Sequence, residues 1–460
     1  MTDHDPLGDH DRLGVRASPR VFRHPVRLAH LGLGAFHRAH QAWYTQVAND
    51  DAEVTDGWGI AAFTGRTPDT AAVLAAQDDV YTLIVRDNEA DSARMIESIS
   101  VAADGGDREL WRRTLADPSV VVVTLTITEA GYRARGPESA GARLLDGLRA
   151  RRDAGSPAIA VVSCDNLPNN GLVTREAVLA FAADDPELEH WIDSNVSFVS
   201  TMVDRITPAT TEADRAIALE LTGFADAAPV VTEPFSEWVL SGAFPGGRPR
   251  WEAAGARFTD DIEPFERRKL WLLNAGHSLL AYLGMLRGHT TIAGAMTDAE
   301  CVRALEALWA EARIVLPFSD DEVDAVLASL RERFTNARIE HRLAQIAADG
   351  SQKLAPRILD AVAARAAAGL GPGDAEAGVI AAWILHLLVG DAADRGAGSL
   401  VDRLGALDDA RRAAETVQLL ASADTLRGID DDLVAAVVRN LVALRDTRTF
   451  AITEPTRGAH

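Results

Sequence analysis

The segment VRLAHLGLGAFHRAHQAWYTQVAN, residues 26–49, decides the fold. Val26–Leu31 is a short apolar run, Gly32-Leu33-Gly34 is a turn, and Phe36–Asn49 reads as a helix. Strand, glycine turn and helix in that order open a βαβ unit. Further apolar and β-branched runs follow at Gly59–Phe63, Tyr81–Val85, Val120–Thr128 and Ala158–Ser163, with helical segments between several of them. Val120–Thr128 (VVVVTLTIT) is almost wholly apolar and threonine, as expected of a strand covered on both faces of a parallel sheet. The alternation predicts an α/β, Rossmann-type, doubly wound domain over residues 1–262.

The texture changes beyond that point. Helical signal runs through Phe265–Leu286, Asp298–Val315, Asp320–Arg333, Ile339–Ala348, a long stretch from Lys353, and Gly378–Leu388, with one strand-like run at Phe450–Thr453. Residues 263–460 are therefore expected to form a mostly α-helical C-terminal domain, and the polar, unpatterned residues 1–24 a loose entry segment.

Bulk composition agrees with two domains. The chain has 460 residues, 47% hydrophobic and 25% charged, an ordinary globular balance. A formal charge of -22 argues against nucleic acid and against an anionic membrane surface, since both reward a surplus of Lys and Arg. Cys164 and Cys301 are too few for a disulfide framework or a cysteine-based zinc site. The opening MTDHDPLGDHDRLG lacks the charge and apolar pattern of a secretory signal. Val379 to Gly390 is well short of the roughly 20 apolar residues needed to span a bilayer. A soluble, cytoplasmic protein with a small-molecule partner is expected.

Gly32-Leu33-Gly34-Ala35-Phe36-His37 is a shortened G-x-G-x-x-G fingerprint, with His37 in place of the third glycine. Gly32 would permit the tight turn, and Gly34 would let the backbone approach a pyrophosphate at the helix N-terminus. The acid expected at the end of the second strand, on the ribose 2′-hydroxyl, is missing: Gly59–Phe63 runs into Thr64-Gly65-Arg66, and Asp69 comes only after Pro68. Arg66 suits a 2′-phosphate or stacking on adenine, so NAD and NADP both stay open.

The densest chemistry lies in ERRKLWLLNAGHS, residues 266–278. At about 100° per residue, with Lys269 at zero, Glu266 falls near ~60°, His277 near ~80° and Asn274 near ~140°. From Leu270 onward the helix is otherwise apolar, so Asn274 and His277 should be buried and in need of partners. A helix with one solvated face and satisfied core polar residues would show the same pattern. The functional reading is metal-free alcohol oxidation, in which a lysine removes the hydroxyl proton and asparagine amides steady the alkoxide. Asn166, in Ser163-Cys164-Asp165-Asn166-Leu167-Pro168, follows a predicted strand and is a second candidate donor.

Together these segments resemble the polyol-specific long-chain dehydrogenases, the family of mannitol 2-dehydrogenase and fructuronate reductase. The likeness rests on HLGLGAFHRAHQAWY (30–44), TLTITEAGY (124–132), SCDNLPNNG (163–171), MVDRITP (202–208), TEPFSEW (232–238), KLWLLNAGHS (269–278) and DGSQKL (349–354). It implies Lys269 as general base, Asn166 and Asn274 as the alkoxide-stabilising pair, and His277 as a substrate-hydroxyl contact. It implies Glu266 on the proton path to solvent, and Asp204 and Lys353 on the substrate. Gly32, Gly34, Phe36, His37 and Thr128-Glu129 would belong to the cofactor site. It further implies an active site between a Rossmann-type and a helical domain, no metal, NAD as cofactor with NADP not excluded, and a monomer or weak homo-oligomer.

Two departures stand out. The acid after the second strand is absent, and Gln345 stands where mannitol-type members tend to carry Arg. Residues 341–357 look closer to the fructuronate-reductase branch. Mannitol, mannonate and mannitol 1-phosphate remain competing substrates, the last because Arg338, Arg342, Lys353 or Arg357 would suit an anionic end. The alternative from another class is a non-catalytic nucleotide-binding protein on the same fold.

Overall fold

A computed structural model describes residues 23–51, 57–65, 67–389, 394, 396–420 and 431–446. The expectations for Arg66, for the strand at Phe450–Thr453 and for nearly all of the entry segment 1–24 lie outside these residues. The chain falls into two compact units that divide between Glu263 and Pro264.

In the first unit the described strands are β1 (Val26–Leu31), β2 (Gly59–Phe63), β3 (Tyr81–Arg86), β4 (Asp91–Ile96), β5 (Ile99–Ala103), β6 (Val122–Leu125), β7 (Ile159–Ser163), β8 (Val196–Asp204), β9 (Val230–Thr232), β10 (Glu237–Ser241) and β11 (Arg257–Phe258). The main sheet runs β11-β10-β8-β7-β6-β1-β2-β5, and a small one runs β4-β3-β9. The central strands β5, β2, β1, β6, β7 and β8 are all parallel, with β10 antiparallel to β8.

Successive side chains on a strand point to opposite faces, and here each face has its own core. Leu28, Ile60, Ala62, Val122, Ala160 and Val162 enter one. Ala29, Leu31, Ala61, Phe63, Val123, Leu125, Ile159 and Val161 enter the other. Both faces being covered is why these strands read as continuous apolar runs. The chain leaves β1 toward β2 and β5 on one side, then returns to β6 and β7 on the other. That reversal makes the carboxyl ends of β1 and β6 the switch point, where doubly wound sheets hold their ligands.

Two local expectations need correction. The strand predicted over Val120–Thr128 is only Val122–Leu125. Beyond it, the Thr126 hydroxyl donates to Gly32 O at 2.8 Å and Thr128 turns to φ 66°. The helix predicted over Phe36–Asn49 is broken at His40 into Ala35–Ala39 and Gln41–Asn49. The buried Arg205 guanidinium donates to Ala39 O at 2.5 Å, which withdraws that carbonyl from a continuing helical ladder. Strands β4, β5 and β8–β11 carry no sequence signal as clean as that of β1. Val196–Asp204, for example, is interrupted by serine and threonine.

The second unit is helical. Its longer helices are Ala275–Leu286, Ala299–Arg313, Asp320–Thr335, Asp374–Val389, Asp409–Leu420 and Asp431–Asp446. They enclose one core containing Leu280, Tyr282, Trp309 and Trp383. Ser319 and Glu322 form a reciprocal cap at the start of Asp320–Thr335. Only Leu343–Ala347 of the helix predicted over Ile339–Ala348 is helical. Among the described residues no helix is long and apolar enough to cross a membrane.

Leu125 is fully buried in β6. Leu125→Ala is expected to cost ~2–5 kcal/mol, the range for truncating a buried leucine, read as a lower denaturant midpoint. A midpoint within error of the parent would contradict a tightly packed second face.

Candidate active site

In the first unit the glycine turn is fixed by lack of room. Gly32 has φ +108°, and a Cβ there would lie 2.0 Å from Thr126 O. Its N–H and that of Leu33 both donate to Phe63 O, at 2.9 and 2.8 Å, tying the turn to β2. Gly34 opens onto free space, an added Cβ meeting only Gly32 O at 3.5 Å. The helix that follows, Ala35–Ala39, has five residues. Any anion here is therefore served by bare glycine backbone more than by a long helix dipole.

A cavity of about 450 Å³ lies at this turn, lined by Gly32, Gly65, Thr126, Thr128, Ser139 and Arg143 among others. Its size is that of a small-molecule site, and it stands at the carboxyl ends of β1, β2 and β6. Open glycine backbone, a hydroxyl-lined wall and the switch point fit a dinucleotide.

The remaining cofactor candidates divide. Thr128 and Glu129 are exposed, Glu129 pairing with Arg133 at 2.7 Å. Such an exposed pair contributes little. Glu129 faces a neighbouring cavity of about 430 Å³ with Leu167 and Pro168. The Phe36 ring stacks on His40 with centroids 5.0 Å apart. His37 is fully buried and stacked on His30 at 3.3 Å. Neither Phe36 nor His37 lines the 450 Å³ cavity. His30 reaches Thr124 Oγ1 at 2.8 Å and Thr126 Oγ1 at 3.1 Å. Burial drives His30 down to about 3 and His37 well below the usual range, so both rings are neutral packing pieces.

Asn166 is exposed just past β7, and its neighbour Asp165 organises the turn. The buried Asp165 carboxylate accepts from Ile127 N at 2.9 Å, Thr128 N at 2.8 Å and Tyr132 Oη at 2.6 Å. Burial raises its pKa, and these three donors oppose the rise. Asn170 ties the same loop to β8, donating to Asp165 O and Thr201 O at 2.8 and 2.7 Å and accepting from Thr201 N at 2.8 Å. Asp204 ends β8 and is buried. Arg205 lies 4.5 Å over the Trp43 ring and donates to the Ala39 and Glu233 carbonyls.

In the second unit the chemistry-bearing helix is not regular. Glu266, buried, lies in Glu263–Arg268; Lys269 to Asn274 form a π turn; Ala275–Leu286 resumes the α-helix. A uniform step of about 100° does not apply across it. With i→i+5 bonding, residues five apart return to nearly the same face, so Asn274 falls closer to the line of half-buried Lys269 than the ~140° of a regular helix. Side chains meet the displaced carbonyls. Trp309 Nε1 donates to Leu272 O at 2.9 Å, and Arg357 Nη1 to Asn274 O at 3.3 Å and to Ser278 Oγ at 2.9 Å. Arg357 itself belongs to a second π turn, Ala355–Leu359, where Pro356 lacks an N–H for the ladder.

His277 is buried, stacked on Phe334 at 4.6 Å and edge-on to His341 at 4.7 Å. Its Nε2 is buried without a hydrogen-bond partner. Burial, then the like charges of His341, Arg333, Arg357 and Lys269, hold its pKa well below the usual range. The ring is neutral and has one nitrogen to offer. Lys353 Nζ donates to Ala348 O at 2.6 Å and Ile346 O at 3.3 Å. Of the other basic candidates, Arg342 is exposed beside Glu340, and Arg357 is the half-buried staple already described. Gln345 is exposed.

Within the first unit the structure thus gathers Gly32, Thr128 and the Asp165-Asn166 turn; within the second it gathers Lys269, Asn274, His277 and Arg357. Among the described residues no three His, Cys, Asp or Glu side chains are grouped to hold a metal ion. Sequence reading missed Asp165, Tyr132 and Asn170. Asp165 stands beside the chosen Asn166, but its work depends on backbone amides about forty positions away in sequence.

Residues 26–253 match the family model of the mannitol dehydrogenase Rossmann domain, and residues 261–445 that of the mannitol dehydrogenase C-terminal domain. D-mannonate oxidoreductase of Escherichia coli K12 is 38% identical over 390 residues, 78% of this chain and 77% of that protein. Mannitol 2-dehydrogenase of Cereibacter sphaeroides is 35% identical over 371 residues, 75% and 77% of the two chains. The structure of Pseudomonas fluorescens mannitol 2-dehydrogenase, a ternary complex with NAD and D-mannitol, is 34% identical and superposes with a TM-score of 0.77 over 96% of this chain and 95% of that one.

Asp165→Ala takes the acceptor from the Ile127 and Thr128 amides and leaves the Tyr132 hydroxyl only Ser163 Oγ. An orphaned buried donor costs ~1–3 kcal/mol and these half-buried amides up to that, so the Thr128 turn should loosen. Dinucleotide affinity is expected to fall ~10-fold or more, measured by cofactor fluorescence titration. Unchanged affinity would show that the turn holds its shape without this carboxylate.

Proposed function

This chain belongs to the mannitol dehydrogenase family, and from that premise we propose that it interconverts a linear polyol or aldonate and the matching ketose, using a nicotinamide dinucleotide and a lysine base. The observation that carries the reading is the buried, neutral His277 with its unpartnered Nε2, one helical turn beyond Asn274 on the segment that begins at Lys269. A buried imidazole nitrogen without a partner is costly unless something fills it. A sugar hydroxyl is the complement.

When bound, the dinucleotide supplies the acceptor for the hydride that leaves the secondary carbon. The chain's own residues do the rest. Lys269 takes the hydroxyl proton, and Glu266 passes it on toward solvent. The Asn274 and Asn166 carboxamides donate to the oxygen as negative charge develops, without competing for the proton. His277 holds a neighbouring hydroxyl and so orients the reacting carbon. Asp204 and Lys353 complete the substrate contacts. Gly32, Gly34, Phe36, His37, Thr128, Glu129 and Arg66 serve the cofactor, Gly32 and Gly34 through backbone, and His37 by bracing the turn against His30. The likeness to the NAD complex from P. fluorescens supports NAD as a cofactor.

The likeness to D-mannonate oxidoreductase supports an aldonate as substrate, and that to the mannitol 2-dehydrogenases a neutral polyol. A panel of fructose, fructuronate and fructose 6-phosphate with NADH separates them, since only the acid and phosphate readings require a charged end.

Lys269→Ala is expected to lower turnover ~100-fold or more, the effect of losing a general base, with dinucleotide still bound. Near-normal turnover would remove Lys269 from the role. Because a lysine acts as base only after shedding its own proton, alcohol oxidation should accelerate from mildly acidic to alkaline pH. A flat profile would contradict a lysine base.

A further inference from the structure

The adenosine end of the first unit's cleft carries a guanidinium where a carboxylate is usual. After β2 the chain runs Thr64-Gly65, with no acid before Asp69. In dinucleotide folds an acid at that place binds the ribose 2′-hydroxyl, while an arginine nearby accommodates a 2′-phosphate. Here Arg143, from the helix Ala140–Asp153, lines the 450 Å³ cavity together with Gly32 and Gly65. Its Nη1 donates to Gly65 O at 3.0 Å, which holds the guanidinium at the carboxyl end of β2. Its Nε is buried with no hydrogen-bond partner. The side chain is only 12% exposed, and its carboxylate neighbour Glu138, 3.7 Å away, is 72% exposed and weakly held.

The surroundings carry both signs, Arg108 on one side and Glu138 and Asp104 on the other. Arg108 reaches the same Glu138 at 3.6 Å and Asp146 at 3.7 Å, and its Nη1 is likewise buried without a hydrogen-bond partner. Burial, then the like charge of Arg108, depress the Arg143 pKa against the opposing pull of Glu138 and Asp104, and an anion beside the guanidinium would offset the repulsion from Arg108. The nearest acid on a neighbouring strand end, Asp104 after β5, is engaged by Gly106 N at 2.8 Å and by Thr64 Oγ1 at 3.5 Å. Gly65 leaves open space above the backbone, an added Cβ meeting nothing within 4 Å.

We propose that Arg143 reads the 2′-phosphate of the cofactor, so that this chain binds NADP(H) as well as NAD(H) with Arg143 as a determinant of the discrimination between them. The guanidinium offers a planar pair of donors matched to phosphate, and one edge is already anchored by Gly65. The proposal rests on the dinucleotide reading of the cleft and names a residue that tells the two dinucleotides apart.

The test uses fragments that differ only in the group at issue. Binding of 2′,5′-ADP and of 5′-ADP to the full chain is measured by calorimetry, with NADH and NADPH titrated by fluorescence. The wild type is expected to bind 2′,5′-ADP ~10-fold or more tightly than 5′-ADP, the gap that one charge-assisted contact supplies. In Arg143→Gln that ratio should fall several-fold, and Arg143→Lys should restore part of it. A wild-type ratio near one overturns the assignment and needs no variant. A ratio that persists in Arg143→Gln with unchanged Tm overturns it as well. Failure to bind NADH and all the fragments would instead sink the dinucleotide reading beneath it, and this proposal with it.

Discussion

Between β1 and β6 there is no room for a side chain at position 32, and the first unit is arranged around that lack. Gly32 lies so near Thr126 that even a methyl group would sit 2.0 Å from the Thr126 carbonyl. The close approach lets the Thr126 hydroxyl reach Gly32 O and His30, and His30 in turn stacks on His37. One contact therefore fixes the end of the first strand, the start of the first helix and the point where β6 stops. The cavity at the switch point is what remains once those three are set. Asp165 completes the frame from the other side, holding Thr128 in its left-handed conformation by the backbone amide.

The second unit solves a different problem, how to hold polar groups on a helix sunk in apolar surroundings. Its answer is a π turn. Widening the ladder between Lys269 and Asn274 frees carbonyls, and Trp309 and Arg357 bond to them. The second π turn at Ala355–Leu359 brings Arg357 to that place, so one irregularity supports the other. His277 follows one turn later, dehydrated and neutral, with Phe334 and His341 against its ring. A regular helix in the same core would give its polar side chains no such adjustable register.

Several residues of the matched motifs also brace the fold. Arg38 and Arg205, in FHRAHQ and MVDRITP, are buried and donate to the Ala228 and Ala39 carbonyls. His37 packs and does not line the cavity. Lys353 bonds the carbonyls of Ile346 and Ala348. The family resemblance rests on these residues as firmly as on Lys269 or Asn274, because a cleft needs its walls held as much as its reacting groups.

The sequence by itself determined the strand–turn–helix opening, the doubly buried sheet and the helical second half. Those follow from periodicity and glycine spacing, which are local properties of the chain. It also determined which residue types were available for proton transfer, since Lys269, Asn274 and His277 fall within a single helical segment. Only the tertiary structure decided that this segment is π-helical, that the first helix breaks at His40, that Asp165 holds the Thr128 turn and that Arg143 lines the cavity. Each of these depends on a partner far along the chain: Arg357 for Asn274, Arg205 for Ala39, Thr128 for Asp165, Gly65 for Arg143. Hydrogen bonds between distant segments leave no periodic trace in the sequence, because they are chosen by where the chain has already packed.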